Sequence, residues 1–585
     1  MFELSHLRDL QNEIKNKGLK AYLIVMSDPH ASEYVASRFS AERLFFCPFT
    51  GDAGQLLVTE DNAYLFTDGR FFIQAEKELA SYPFVLMRIG EKNVPSLTDF
   101  IKEKDLYPLG VNTLNISENF YKTIALKDKK VVDVDYAQKF IKNRPSLSKE
   151  KIYELDSKLN SLTYKEKIDA ICLEMNKIGV EANLITTLDD IAYILNMRGK
   201  DIECNPVFYS YLYVSHVHGT HLFIDLDKLD YRLEGVEVHP YDEITSFLKE
   251  HRNVRTLVDS SKVNAKLFNI LSNPIEGKNP SYLMKSIKGE IEIKNTKEIQ
   301  ELDGVALVKF IDFLNKNIEK NLTEYQYAEE LKKYRLENER CFDLSFGTIA
   351  AVGANAAEMH YSPSEEKSSV VSSSSQELLV DSGGQYYGGT TDTTRTFAIG
   401  KELSSEYIHD YTLTLKSVIA LSTSIFMRES TGQTLDIKAR EIMWKEGMDY
   451  KCGTGHGVGY ILNVHEGPNG FRYKRVAERD DGNMLVPGMI TTVEPGVYKQ
   501  DKYGIRIENN LLCVPAFETD MGVFYKFETI TYVPIDTRAL DLSIMTDEEI
   551  TWLNDYHKMV FEHLSSHMSS ELIEVLGELT KPIKR

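Results

Sequence analysis

Two stretches of this chain, around Gly18 and around Gly179, pass through the same order of elements: helix, glycine, strand, helix. In the first, a segment carrying Leu4, Leu7, Leu10 and Ile14 leads through Gly18 to the apolar run 19–26. Apolar residues at that spacing share one face of a 3.6-residue period, so a helix with one buried side is expected. In the second, a helix expected over 164–178 leads through Gly179 to the run 182–186 and on to LDDIAYILNMRG. Thr187 with Asp190 reads as a capping-box variant at the start of that last helix. A chain that repeats such a unit must build the same α/β module twice. The polar stretch 143–159 is a natural boundary between the copies.

A second boundary falls at 288–297, where charge dominates before a long helix expected over 299–317. Thr323 with Gln326 is a capping box for a helix running to about Leu336, and Thr546 with Glu549 is another for a C-terminal helix. A short helix is expected from Glu571. Further helices are expected near 405–427 and 436–446, alternating with strands. The serine-rich piece 368–375 reads as a variable loop or an exposed edge strand.

With 585 residues the chain has room for roughly three or four domains. A formal charge of −20 argues against nucleic-acid or anionic-membrane partners, which favour basic surfaces. Six scattered cysteines without CxxC spacing imply neither a zinc ribbon nor a disulfide framework. The N-terminal segment lacks the apolar core of a signal peptide, and no stretch approaches the roughly 18 apolar residues of a membrane span. A cytoplasmic protein is the expectation.

The chemistry concentrates in the second half. Leu378, Leu379 and Val380 form an apolar run ending at Asp381, and Gly388-Gly389 is a hairpin signal before the β-branched run 390–397, which carries Asp392. Folding there would bring Asp381 and Asp392 together across two antiparallel strands. Two carboxylates that close repel unless a proton or a cation lies between them. His456 stands among Gly453, Gly455, Gly457 and Gly459, which would let backbone come close to a bulky occupant. Glu494 opens EPG after an apolar-rich run, and in GIRIENN a period of two turns Arg506 and Glu508 to one face and the isoleucines to the other. Four carboxylates and one imidazole suit a pair of divalent ions. Singly, each acidic residue reads as an ordinary turn residue; together, in order, they read as a metal centre.

The segments HYSP, DSGGQYYGGTTDTTRT, GTGHGVGYILNVHEGP, VEPGVY and GIRIEN resemble, in order and spacing, the catalytic motifs of the aminopeptidase P family, Xaa-Pro aminopeptidases of pita-bread fold. TDGRFF (67–72), ILNMRG (194–199), NPVFYSY (205–211) and DEEITWLNDYH (547–557) resemble its long, three-domain cytosolic type, so the likeness spans nearly the whole chain. It implies two creatinase-type α/β domains, 1–148 and 149–295, followed by a pita-bread catalytic domain, 296–585, an α/β (α+β) architecture overall.

The resemblance also implies roles. Asp392 and Glu508 would bridge two metal ions, Asp381 completing one and His456 with Glu494 the other, and a hydroxide held between the ions would attack the N-terminal Xaa-Pro bond. Glu494 would be the general base. His360 and His465 would face the substrate, one of them stabilising the tetrahedral intermediate. Arg70 would meet substrate, across a homodimer. Arg506 would orient a ligand carboxylate. Oxygen-rich coordination favours Mn²⁺, with Co²⁺ or Zn²⁺ able to substitute. One departure stands out: the family places a histidine four residues before its ligand histidine, where this chain has Cys452. That change would retune the pocket for the proline residue. The expected partners are peptides with proline at the second position. Two other readings compete: a prolidase, acting on dipeptides alone, and a catalytically silent pita-bread module that binds other proteins.

Overall fold

The computed structural model describes residues 2–474 and 482–585. They fall into two compact units, one of residues up to 155 with 162–282, the other of 156–161 with 283–585.

The first unit contains the repeat. Helix α1 (Leu4–Asn16) buries Leu7, Leu10 and Ile14. Gly18, at φ +64°, turns the chain into strand β1 (Ala21–Ile24). Strands β2 (Gln55–Thr59), β3 (Ala63–Thr67), β4 (Phe84–Arg88), β5 (Leu109–Val111) and β6 (Val131–Asp133) complete a sheet ordered β4-β3-β2-β1-β5-β6. The second copy repeats this. Helix α2 (Tyr164–Ile178) ends at Gly179, φ +75°, a left-handed position that glycine occupies without steric cost. Strands β7 (Ala182–Ile185), β8 (Ser210–Ser215), β9 (Gly219–Ile224), β10 (Val236–Pro240), β11 (Thr256–Val258) and β12 (Pro274–Glu276) follow, in a sheet ordered β10-β9-β8-β7-β11-β12. Directions match too: β1 and β7 are each antiparallel to the next strand of the sheet on one side and parallel to β5 or β11 on the other. A short helix α3 (Ile244–Glu250) follows β10. At the expected capping box the Thr187 and Asp190 side chains hydrogen-bond each other, and the Thr187 side chain makes no cap to the backbone.

The second unit opens with α4 (Glu290–Asn317). This helix begins well before position 299. The charged stretch 288–297 supplies its first turns, because Glu290 and Glu292 sit where the helix dipole favours negative charge and Glu292 accepts the Gly289 N–H at 2.9 Å. Helix α5 (Glu324–Leu336) carries the expected Thr323–Gln326 capping box. The serine-rich 368–375 is a loop, tied down by a bridge from Val370 to Thr323. Strand β13 (Glu377–Ser382) follows, then the short β14 (Gly384–Tyr386) and β15 (Gly389–Thr390), then β16 (Thr393–Ala398), which returns antiparallel to β13.

Helix α6 spans Ser405–Ser422 and stops short of 427, because 425–427 is a strand at the edge of the large sheet. Helix α7 (Ile437–Lys445) precedes β17 (Gly455–Gly457) and β18 (Glu466–Phe471). Then come β19 (Ile490–Val493), the hairpin of β20 (Gly496–Lys499) and β21 (Tyr503–Arg506), and the long pair β22 (Asn509–Thr519) and β23 (Gly522–Thr529). Beyond edge strand 425–427, the large sheet is ordered β23-β22-β19-β17-β18. Helix α8 (Asp547–Leu564) starts at the expected Thr546–Glu549 box, and a last helix spans Ser570–Leu579.

The apolar side of these strands faces one core. Val493, Ile505, Ile507 and Leu511 pack with Tyr407, Leu415 and Val418 of α6 and with Leu553, Tyr556 and Val560 of α8. Buried in the same region, the Arg395 guanidinium donates to the carbonyls of Glu508 (2.5 Å), Val533 (2.8 Å) and Pro534 (3.0 Å), to Asn509 Oδ1 (2.8 Å) and to the Tyr556 hydroxyl (2.8 Å). Each bond satisfies a polar group that burial would otherwise leave costly. Arg395 thereby ties β16 to the start of β22 and to α8. Among the described residues no helix is long and apolar enough to cross a membrane.

Candidate metal centre

The side of the strands turned from this core carries the carboxylates. Asp381 on β13 pairs with Thr394 of β16, and Ser382 with Thr393. Asp392 precedes β16 by one residue and shares the Thr394 face, since residues two apart on an extended chain point the same way. The two aspartates are thus diagonal neighbours, offset by two positions. The expected turn falls one residue earlier, at Tyr387-Gly388, with Gly389 already paired to Tyr386 in the small β14–β15 ladder.

His456 lies on β17, one strand from β19, which delivers Glu494 at its end. Its Nδ1–H donates to the Gly457 carbonyl at 2.9 Å. That bond fixes the tautomer and leaves the Nε2 lone pair free to bind a cation. Nε2 faces Asp392 Oδ2 at 3.3 Å and Glu494 Oε1 at 3.4 Å. Thr492 holds both neighbours: its hydroxyl oxygen accepts the His456 N–H at 3.0 Å and donates to Glu494 Oε1 at 3.3 Å. The alternating glycines admit neighbouring backbone rather than a bulky occupant. A Cβ on Gly455 would lie 1.9 Å from the Thr492 carbonyl oxygen, and one on Gly457 2.3 Å from that of Glu466. The strand bearing His456 can approach its neighbours this closely only without side chains.

Glu508 sits between β21 and β22. Its Oε2 accepts the Thr394 hydroxyl at 2.7 Å, and its N–H donates to the Thr394 carbonyl at 3.1 Å. Arg506, on the same face, donates to Asp381 Oδ2 at 2.6 Å, to the Tyr498 hydroxyl at 2.7 Å and to the Thr394 hydroxyl oxygen at 3.1 Å. Donor atoms of Asp392, His456 and Glu508 lie within 4.8 Å of one another.

The electrostatics of this cluster point to cations. Burial first, and then the charges of Asp381 and Glu494, push Asp392 well above the ordinary carboxylate range. Burial, with Asp392, Glu494 and Asp381, does the same to Glu508, against a lowering from the Thr394 hydrogen bond. Carboxylates this close stay ionised only if positive charge stands among them. Asp381 has one oxygen on Arg506, while its other, Oδ1, is buried with no hydrogen-bond partner. A buried acceptor left over in so ordered a cluster is one that a cation could satisfy. The donor set, oxygen-rich with one imidazole, fits hard or borderline divalent ions.

Other residues singled out from sequence fall in different places. The His465 ring packs edge-on against His456, centroids 4.2 Å apart. Its neighbour Glu466 forms a buried ion pair with Lys288, both side chains 2% exposed. His360 is half-buried in a turn whose backbone runs against β21, where a Cβ on Gly504 would meet the Ala356 carbonyl oxygen at 1.7 Å. Cys452 packs with Met443, Tyr450, Val497 and Tyr498. Burial and then Glu494 raise its thiol to about 11, so it is neutral at pH 7 and no thiolate ligand. Arg70 belongs to the first unit, where Asp68 grips it at 2.8 and 2.9 Å.

Three contributors escaped the sequence reading: Thr394, Thr492 and Tyr498. Each stands within or beside a motif, and for two of them period two gave the signal. Thr394 is two residues beyond Asp392, and Thr492 two before Glu494. Tyr498 needs the β20–β21 pairing, which sets it opposite Gly504 and beside Arg506.

A paired-carboxylate centre of this kind, behind a duplicated α/β module, defines a class, and comparison with known proteins agrees. Residues 294–515 match metallopeptidase family M24, 523–583 the C-terminal region of peptidase M24, and 6–139 and 143–292 the creatinase/prolidase N-terminal domain. The chain belongs to metallopeptidase family M24, with creatinase N-terminal domains ahead of a pita-bread domain. Its relatives include Xaa-Pro aminopeptidase 1 of Dictyostelium discoideum, 35% identical over 95% of this chain and 92% of that protein. Aminopeptidase P2 of Arabidopsis thaliana is 36% identical over all of this chain and 88% of its own length. Among solved structures, the X-prolyl aminopeptidase of Caenorhabditis elegans, described as a cytosolic enzyme with a di-nuclear active site, superimposes with a TM-score of 0.92 at 31% identity over 99% of both chains.

Proposed function

We propose that this chain is a metalloaminopeptidase that removes the N-terminal residue of peptides with proline in second position. The observation that supports this reading is the cluster of Asp392, His456 and Glu508, with Glu494 beside His456, in a chain that matches X-prolyl aminopeptidases from end to end. Asp381, Asp392, His456, Glu494 and Glu508 would hold two divalent ions, Mn²⁺ by the hardness of the donors, with Co²⁺ or Zn²⁺ able to substitute. Asp392 and Glu508 would bridge. Such ions would supply an acidified water and positive charge for the scissile carbonyl.

The chain's own residues do the rest. Glu494 accepts the proton of the attacking water and delivers it to the leaving proline nitrogen. Arg506, held by Tyr498 and Thr394, fixes the Asp381 carboxylate, so this ligand does not reorganise during turnover. His465 and His360 contact the peptide, and one of them stabilises the developing oxyanion. A peptide bond to proline has no N–H, so recognition rests on the ring and the N-terminus. The same reading gives domains at 1–148, 149–295 and 296–585, a homodimer in which Arg70 meets substrate, and a cytosolic location like that of the C. elegans enzyme.

The deciding assay compares Xaa-Pro-Xaa tripeptides, Xaa-Pro dipeptides and tripeptides without proline. The expected result is cleavage of the first with release of the single N-terminal residue. Preference for the dipeptide would make the chain a prolidase, and hydrolysis of none with metal bound would favour a binding module.

Cys452 sets a second expectation. Its neutral thiol, beside Tyr498, replaces the hydrogen-bonding imidazole that the family's motif places there. Cys452→His should raise kcat/KM on Xaa-Pro tripeptides by more than about twofold. A ratio within twofold of unity would mean that the position does not tune the reaction.

A further inference from the structure

Four of the fourteen histidines gather in the first unit, on the second copy of the module and outside the carboxylate centre: His218, His221, His239 and His251. Parallel strands β9 and β10 pair His221 with Glu237 and Phe223 with His239, so all four side chains project from one face of the sheet. Phe247 of α3 closes over them, its ring 4.7 Å from that of His221 and 4.2 Å from that of His251, with which it stacks. His239 stacks on Phe223 at 5.0 Å.

The hydrogen bonding prepares the His221 imidazole as a donor. His221 Nε2–H donates to the His218 carbonyl at 2.7 Å, which leaves a lone pair on Nδ1. This is the backbone support that ligating histidines ordinarily have. His221 Nδ1 faces His239 Nε2 at 3.0 Å and Glu237 Oε2 at 3.6 Å. Two nitrogens bonded to one ion at about 2.0–2.1 Å lie roughly 2.9–3.4 Å apart for angles between square and tetrahedral, which brackets the observed spacing. The three donor atoms lie within 4.8 Å of one another.

We infer that His221, His239 and Glu237 form a binding site for one divalent transition-metal ion, zinc foremost, which staples edge strand β10 to β9. Two imidazoles and one carboxylate suit zinc, and the fourth position opens towards solvent past Glu237, whose side chain is 73% exposed. Without an ion the same two nitrogens share an N–H···N hydrogen bond, so counting ions decides the matter.

The purified enzyme, as isolated, is dialysed against graded zinc and the bound zinc per chain is measured by mass spectrometry. Wild-type protein should bind one zinc more than His239→Gln does. Glu237→Gln, altered at an exposed side chain that the fold does not need, should bind that ion at least about tenfold more weakly. Asp392→Asn, altered in the carboxylate centre, should keep it. Either first-unit variant giving the wild-type zinc isotherm overturns the site, as does loss of the extra ion in Asp392→Asn alone.

Discussion

Glu494→Gln is expected to lower kcat/KM on an Xaa-Pro-Xaa tripeptide by about 10²–10⁴-fold, the range for loss of a positioned general base. Glutamine keeps the shape and can still accept the Thr492 hydroxyl that meets Oε1 at 3.3 Å. It loses the negative charge and the ability to take a proton. A metal titration separates the loss of the base from a merely weakened metal site, which should be rescued by raising the metal concentration. Activity within tenfold of wild type, at saturating metal, would remove Glu494 from the role of base.

The second large effect concerns stability without metal. In the absence of ions Asp392 is held above the ordinary carboxylate range by burial and then by Asp381 and Glu494, and Glu508 by burial and then by Asp392, Glu494 and Asp381. A carboxyl group with a raised folded-state pKa binds protons more tightly in the folded chain than in the unfolded one. Its contribution is complete below the unfolded value and is lost as pH rises towards the folded one. Chelator-treated protein should therefore melt at lower temperature as pH is raised from about 5 to about 8, by about 5 °C or more. The metal-loaded protein should not show this slope, because the ions supply the charge that protons would otherwise bring. Calorimetry on both forms across that range is the check. Parallel slopes would mean that the carboxylates are not mutually strained, and a pair of cations would then be unnecessary to the fold.

Much of this centre was legible from residues alone, for a physical reason. Strand periodicity and turn chemistry are local, and they sufficed to set Arg506 and Glu508 on one face and to set Ile505 and Ile507 on the core side. The repeat was legible for the same reason, since Gly18 and Gly179 each mark a helix end by backbone conformation. Register was harder. Nothing local says that the turn falls at Tyr387-Gly388 and closes a separate small ladder, so the diagonal placement of Asp381 and Asp392 emerged only from the pairing itself. Contacts distant in sequence were invisible for the same cause. Tyr498 reaches Arg506 through a hairpin, and Lys288 reaches Glu466 across most of the catalytic part of the chain. The charged stretch 288–297 reads as a boundary because high charge is common to boundaries and helix starts alike; only the dipole of the long helix decides between them.

The bonds of Arg395 give the metal centre an order of assembly. A chain leaving the ribosome has all five proposed donors made by the time Glu508 emerges, yet two of the groups that hold Arg395, the Val533 and Pro534 carbonyls, are still unmade, and Tyr556 comes later again. Until α8 docks, the guanidinium that holds the Glu508 carbonyl lacks its Tyr556 partner. Ion capture would thus be the last event of synthesis rather than an early one. A nascent chain passing through a cell full of competing cations would present no finished trap for them until the polypeptide was almost complete.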